Sequence, residues 1–212
     1  MPGSPPVTYA SSATFLAASD AATRPHDLIL SLSKDEVPPQ ITFQETKMPE
    51  TNQNPFPNDP DRNAIWEMLV RRDIDAFVGQ NWGMVEPDFV PEGFLGINAA
   101  GADNPDGWKI GFPTLAAYRD EWQRQAAESA KVKYAEDQRA GIFRATSLRE
   151  IEINGDLAAV HKKFDGTIRR ADGGKDVLNW QTLYFCRKVS GVWKLTGFIG
   201  YLPFPMGKAV KA

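Results

Sequence analysis

"NWQTLYFCRKVSGVWKLTGFIGYLP", Asn179 to Pro203, decides the fold. Ser190-Gly191 separates two runs rich in aromatic and β-branched residues, the pattern of a β-hairpin with a tight turn. In the first run Trp180, Thr182, Tyr184 and Cys186 share one face, and Gln181, Leu183 and Phe185 the other. In the second, Trp193, Leu195, Ile199 and Tyr201 oppose Val192, Thr196 and Phe198. A hairpin lying on a protein surface needs only one apolar face. This one has two, so it needs cover on both. A helical layer supplies one cover. A second copy of the chain is the expected other, because apolar patches beyond roughly a few hundred Å² are uncommon on monomers. A tail or loop laid across that face is the alternative.

Upstream, "FRATSLREIEING" and "DLAAVHKKFDGTIRR" alternate with period two around Asn154-Gly155-Asp156, a strong hairpin signature, and "DGGKD" turns the chain into the quoted hairpin. Earlier still the period is helical. In "NDPDRNAIWEMLVRRDIDAFVGQ", Asn58 or Asp59 caps, Pro60 suits the first turn, and Gly79 is the stop. Ile65, Trp66, Leu69, Val70, Ala76 and Phe77 form its apolar stripe. "NWGMVEPDFV" has room for one or two turns before Pro87. "GFLGIN" is a short strand, and "AAGADNPDGWKIG" reads as a turn-rich loop. "FPTLAAYRDEWQRQAAES" is a second helix capped by Thr114, with Leu115, Tyr118, Trp122 and Ala126 on one face. Helices first and a run of about four antiparallel strands last predict an α+β domain with helices packed on one face of a curved sheet.

That order resembles the nuclear transport factor 2-like superfamily, which includes ketosteroid isomerase, scytalone dehydratase and SnoaL-like cyclases. "WGMVEPDFV" is similar to the segment in which an acid precedes the first strand. "LNWQTLYFCRKVSGVWKLTGFIGYL" is similar to the closing hairpin. The resemblance spans residues 58–205 and implies a cystatin-like cone: helices over the concave face of a curved antiparallel sheet, a pocket between them, and a convex face that often meets a second subunit. Since this fold hosts enzymes, carriers and dimer modules, activity has to be argued from the site.

For chemistry, Asp88 stands first. It sits at the helix-to-strand junction between Trp82 and Phe89, where the resemblance places a pocket acid, and burial there would raise its pKa toward neutrality. The bland reading is a turn aspartate after Pro87. His161 is the only histidine of the body. It titrates near working pH, but its strand parity groups it with Ala159, Lys163 and Asp165 rather than with Ala158, Val160 and Phe164, which directs it to solvent or an interface. Tyr118 is a third catalytic candidate, able to polarise a carbonyl as tyrosines do in several relatives. Trp82, Phe89, Trp108, Trp122, Trp180 and Tyr184 are candidate lining for a small apolar or aromatic molecule, or else core. The expected activities are cofactor-free isomerase, dehydratase or cyclase chemistry by proton transfer next to a carbonyl. The alternatives are a non-catalytic binding module and a dimerisation scaffold. An open hollow of roughly a few hundred Å³ would favour the first two, and a filled interior the scaffold.

Composition bounds these readings. The net charge of −3 gives no field for nucleic acid or an acidic membrane. The single cysteine, Cys186, precludes an internal disulfide or a cysteine metal cluster and reads as a small buried apolar residue. No phosphate loop, dinucleotide glycine pattern or His-Glu-x-x-His occurs, so nothing calls for a nucleotide or metal cofactor. No apolar run reaches the roughly 20 residues of a membrane helix. The first residues make a poor signal peptide, which leaves a cytoplasmic location as the expectation.

Residues 1–57 hold nine of the sixteen prolines and none of the tryptophans. They predict a disordered N-terminal tail. Within it, "RPHDLILSLSKDE" resembles peptides translated from a palindromic intergenic repeat of bacterial genomes, which makes Met48 an alternative start. The rival reading is a segment, Leu28 to Leu32, that docks on the body. Residues 206–212 form a short tail.

Overall fold

Asp59 caps the first helix: its carboxylate accepts the Arg62 amide at 3.0 Å, and Pro60 opens α1 (Pro60–Trp66). In the computed structural model of the chain, which describes residues 53–206, the helix continues through a π-helical stretch, Glu67–Arg72, into α2 (Asp73–Val78) and ends at Gly79. The expectations for residues 1–52, Met48 included, lie outside the described residues, whereas the end of the expected tail joins the domain: the Asn54 side chain donates to the Asn63 carbonyl at 3.2 Å and Phe56 packs against the core. The predicted stripe is the buried one: Ile65, Trp66, Leu69, Val70 and Ala76 are all in the core. Short 3₁₀ turns, Trp82–Met84 and Glu86–Asp88, carry the chain to β1 (Leu95–Asn98).

After β1 come β2 (Lys109–Phe112), α3 (Leu115–Ala130), α4 (Gln138–Ala145), β3 (Thr146–Asn154), β4 (Leu157–Arg169), β5 (Lys175–Val189) and β6 (Val192–Leu202). They form one six-stranded curved sheet in the order β2-β1-β6-β5-β4-β3. Every neighbouring pair is antiparallel except β1 and β6, which run parallel. The last turn has Ser190 at φ 49° and Gly191 at φ 82°, the two positive values that a tight hairpin with right-handed strand twist requires. Among the described residues no helix is long and apolar enough to cross a membrane.

Three features depart from the sequence expectation. The stretch read as a loop contains edge strand β2, whose four residues are too few to display a period. Phe143 to Ala145, read as the start of a strand, end α4 instead. This helix is capped by Asp137, which accepts the Ala140 amide at 2.7 Å. Its glycine hid the helical pattern, yet the position needs one: a β-carbon on Gly141 would lie 3.0 Å from Ile168.

The third departure is in β6. Its register against β5 shifts twice, between Phe185 and Cys186 and between Gln181 and Leu183. An extra residue in one strand reverses side-chain parity beyond it. Phe198 therefore turns inward with Trp193 and Leu195, while Ile199 turns outward beside Leu183.

The concave face and the helices share one core in which Phe94, Phe112, Phe143, Phe164 and Phe198 are all buried. Asp61 joins α1 to the closing hairpin, accepting the Trp193 indole N–H at 2.9 Å and the Lys188 ammonium at 2.6 Å. The convex face is apolar as well. Leu95, Ile110 and Phe185 are 40%, 64% and 43% exposed there, around half-buried Ile97, Leu183 and Ile199. The chain covers part of that face itself: the Gln181 side-chain amide donates to the Pro203 carbonyl at 2.5 Å, and Lys163 sits 5.8 Å from the Phe204 ring centre.

β1 and β6 approach so closely that a β-carbon on Gly197 would lie 2.4 Å from the Leu95 carbonyl oxygen. No rotamer relieves a clash with backbone. Gly197→Ala is expected to cost about 1–3 kcal/mol, read as a lowered urea midpoint. Native stability in this variant would show that the β1–β6 pairing is looser than described.

Candidate functional site

The π-helical stretch sits where the helix faces the middle of the sheet. Leu69 lies within it and Asp73 follows it directly. Opposite, on the concave face of β4, is Lys162, which is only 1% exposed. Its ammonium donates to the Leu69 carbonyl at 2.6 Å and to the Asp73 carboxylate at 2.7 Å. Burying an unpaired ammonium would cost several kcal/mol (roughly), so the helix must present both acceptors here. π turns inside helices recur at functional sites.

Beside this clamp lies a small cavity. Asp73, Asp88, Tyr118 and Tyr184 supply its polar wall. Met68, Leu69, Val85, Phe89 and Leu195 supply the apolar remainder. Its accessible volume is about 20 Å³, room for about one water molecule. The space that an open cone would leave free is filled by rings. Tyr118 packs against Phe198 at 4.9 Å between centres, against Phe112 at 5.3 Å and against Phe94 at 5.7 Å. The expected wide hollow is therefore absent among the described residues. By the criterion set from the sequence, a filled interior weighs toward the scaffold.

Asp88 is the distinctive group. The turn Glu86–Asp88 sets it at the cavity with 8% exposure. One carboxylate oxygen pairs with Arg72, while the other is buried without a hydrogen-bond partner. Burial disfavours the charged form and Arg72 favours it; burial wins and lifts the pKa to about 6. Asp73 adds a smaller upward push. Burial, followed by neighbouring Tyr184 and Asp73, also drives the Tyr118 phenol well above its usual range, and burial and Asp73 do the same to Tyr184. Both phenols thus stay protonated at neutral pH.

The other sequence candidates fall elsewhere. Phe89 lines the cavity, with Trp82 stacked behind it at 5.2 Å. Trp122 lies a layer further back, edge-on to Trp82 at 5.4 Å and to Phe77 at 5.6 Å. Trp108 closes its own loop by donating to the Ala102 carbonyl at 2.9 Å. Trp180 stacks on Phe164 at 4.4 Å, away from the cavity wall. As a pocket base, His161 is corrected by parity: Lys162 points inward, so His161 points to the convex face. There its Nδ1 meets Glu150 at 2.7 Å, and its Nε2 meets the Gln181 side-chain oxygen. Asp88 and His161 thus lie on opposite faces of the sheet and cannot serve one ligand together. Burial raises the Cys186 thiol to about 12, which makes it an inert core residue.

Sequence reasoning missed Lys162, Asp73 and Arg72. Lys162 had a readable signal, since it shares parity with Ala158, Val160 and Phe164 on the apolar face of its strand. A lysine there demands a buried anion. That the anion is Asp73, 89 positions away along the chain, follows only from the fold.

No family model and no curated protein matches the chain. Several solved structures are similar to it. One is Aln2 from a Streptomyces species, 14% identical, covering 68% of this chain and 91% of that one at a TM-score of 0.47. Another is a nuclear transport factor 2-like protein with a cystatin-like fold from Novosphingobium aromaticivorans, 14% identical, covering 71% and 85% at 0.42. A third is a nuclear transport factor 2-like protein of unknown function from Shewanella baltica, 14% identical, covering 66% and 92% at 0.42. The last two carry the description that the sequence resemblance named. At these identities and scores the reading of this chain rests on its own residues.

The raised Asp88 pKa has a consequence for stability. Below about pH 4 the group is protonated in both folded and unfolded chains, and its preference for the buried neutral form is fully expressed. As pH rises through about 6 that contribution is lost, because the folded chain must then hold a buried carboxylate. The shift corresponds to about 3 kcal/mol. Asp88→Asn cannot ionise, so it is expected to gain about 2–3 kcal/mol on the native chain between pH 4 and pH 8. Urea denaturation at each pH measures this. A difference that does not vary with pH would mean that Asp88 titrates as an ordinary surface carboxylate.

Proposed function

We propose that the protein binds a small apolar or aromatic molecule at the concave cavity and that Asp88 exchanges a proton with it next to a carbonyl. The observation that carries this reading is the buried, unpartnered carboxylate oxygen of Asp88. A base needs a free lone pair and a pKa near working pH; the unpartnered oxygen of Asp88 and its pKa of about 6 support that role. Tyr118, kept protonated by its surroundings, donates to the carbonyl oxygen as charge gathers there. The outcome is cofactor-free isomerase, dehydratase or cyclase chemistry. Since the cavity takes about one water, a ligand has to push aside wall side chains, and flexible Met68 is the one best suited to move.

Turnover on a panel of ring-bearing carbonyl compounds, followed by loss of an α-proton signal, tests the reading. Asp88→Asn should retain affinity and lose about 10²–10⁴ in kcat. Tyr118→Phe should lose about 10²-fold or more. Ligand binding without turnover by any member of the panel would reduce the proposal to a binding module.

A second reading, a dimerisation module, draws on two different observations: the filled interior and the partly uncovered apolar convex face. Leu95, Ile110 and Phe185 together make a patch of the kind that a second copy covers. Sedimentation at micromolar concentration should give twice the chain mass. Phe185→Asp, which leaves the concave core untouched, should return the single-chain mass. A native chain that sediments as a monomer would end this reading.

A further inference from the structure

We infer that the cavity accepts a hydrogen-bond-donating head group, a hydroxyl or an amine, and turns away carboxylates and phosphates. This inference rests on the small-molecule reading above and narrows its ligands to those that carry such a donor beside the carbonyl. The wall presents two carboxylates and two phenols and no cation. The cations nearby are committed elsewhere. Lys162 lies behind the wall, donating to Asp73 and to the Leu69 carbonyl. Arg72 pairs with one oxygen of Asp88. Asp88 lines the space, and its second oxygen is buried and without a donor.

An entering donor satisfies that oxygen. An entering anion meets Asp88 and Asp73 together, and at Asp88, which is 8% exposed, water screens the repulsion weakly. The phenols do not reverse this preference, because a hydroxyl can turn to accept as readily as to donate. The Lys162 clamp is what fixes it. With the Lys162 ammonium on it at 2.7 Å, the Asp73 carboxylate is held at a set position and does not swing away to admit another negative group.

Phenol, benzylamine and benzoate share one ring and differ in the head group. Each is titrated into the native chain at pH 7.5, with binding read from ligand-observed NMR and its location from shifts of the Trp82 indole, which stacks on the cavity residue Phe89. Phenol and benzylamine are expected to bind at least about tenfold more tightly than benzoate. In Asp88→Asn the gap should narrow to about threefold or less. The comparison within the native chain stands even if the variant folds poorly. Benzoate binding as tightly as phenol at this site overturns the inference and leaves the small-molecule reading intact. If none of the three binds at millimolar concentration, the inference falls together with that reading.

Discussion

Strand β6 imposes the constraint on which the rest depends. It has a strand on each side, β5 and β1, and bulky apolar side chains on both faces. A strand so placed cannot lie at a surface. On one side it forces a helical layer; on the other it leaves Phe185 exposed and Ile199 half-buried, while the chain's own Pro203 and Phe204 reach Gln181 and Lys163. The close approach at Gly197 and the two bulges follow from the same demand. They let β6 curve around the core and deliver Phe198 to its centre while keeping a partner along both edges.

Inside the curve, polar groups survive only because each charge is answered. Lys162 is tolerated because α2 begins with Asp73 and the π stretch offers the Leu69 carbonyl. Asp88 is answered less completely. Arg72 holds one of its oxygens but is itself 42% exposed at the side chain, and a partner so close to water stabilises a buried carboxylate weakly. That imbalance distinguishes the two aspartates of one cavity: Asp73 is paired with a buried lysine, while burial lifts the Asp88 pKa to about 6.

The fold was legible where a residue's role is local. The caps at Asp59 and Thr114, the turns at Gly155 and Gly191, and the helical stripe from Ile65 to Ala76 depend on neighbours a few positions away. Asp88 was legible for a related reason: a proline turn at the end of a helix puts it between two aromatics. The outward face of His161 was readable from strand parity alone. What could not be read depends on distance along the chain. The bulges that turn Phe198 inward are set by curvature of the whole sheet, and α4 forms because its face meets Ile168. The closing of the cavity was equally hidden. Whether Tyr118, Phe112, Phe94 and Phe198 line a hollow or fill it depends on how far the helices sink toward the sheet, a dimension with no counterpart in sequence spacing.

The parallel pairing of β1 with β6 also governs the order of assembly. Leu95 emerges from the ribosome far ahead of Gly197, yet each is the other's neighbour in the sheet. Until the final hairpin exists, β1 and β2 have nothing to join, and the aromatic side chains of the first helix and its following turns stay exposed. Closing so long a loop is entropically unfavourable, so these two strands are expected to dock late, onto a meander of β3 to β6 built from local hairpins. Through that interval the free edge of β6 is the point at which the nascent chain is most open to pairing with the wrong strand.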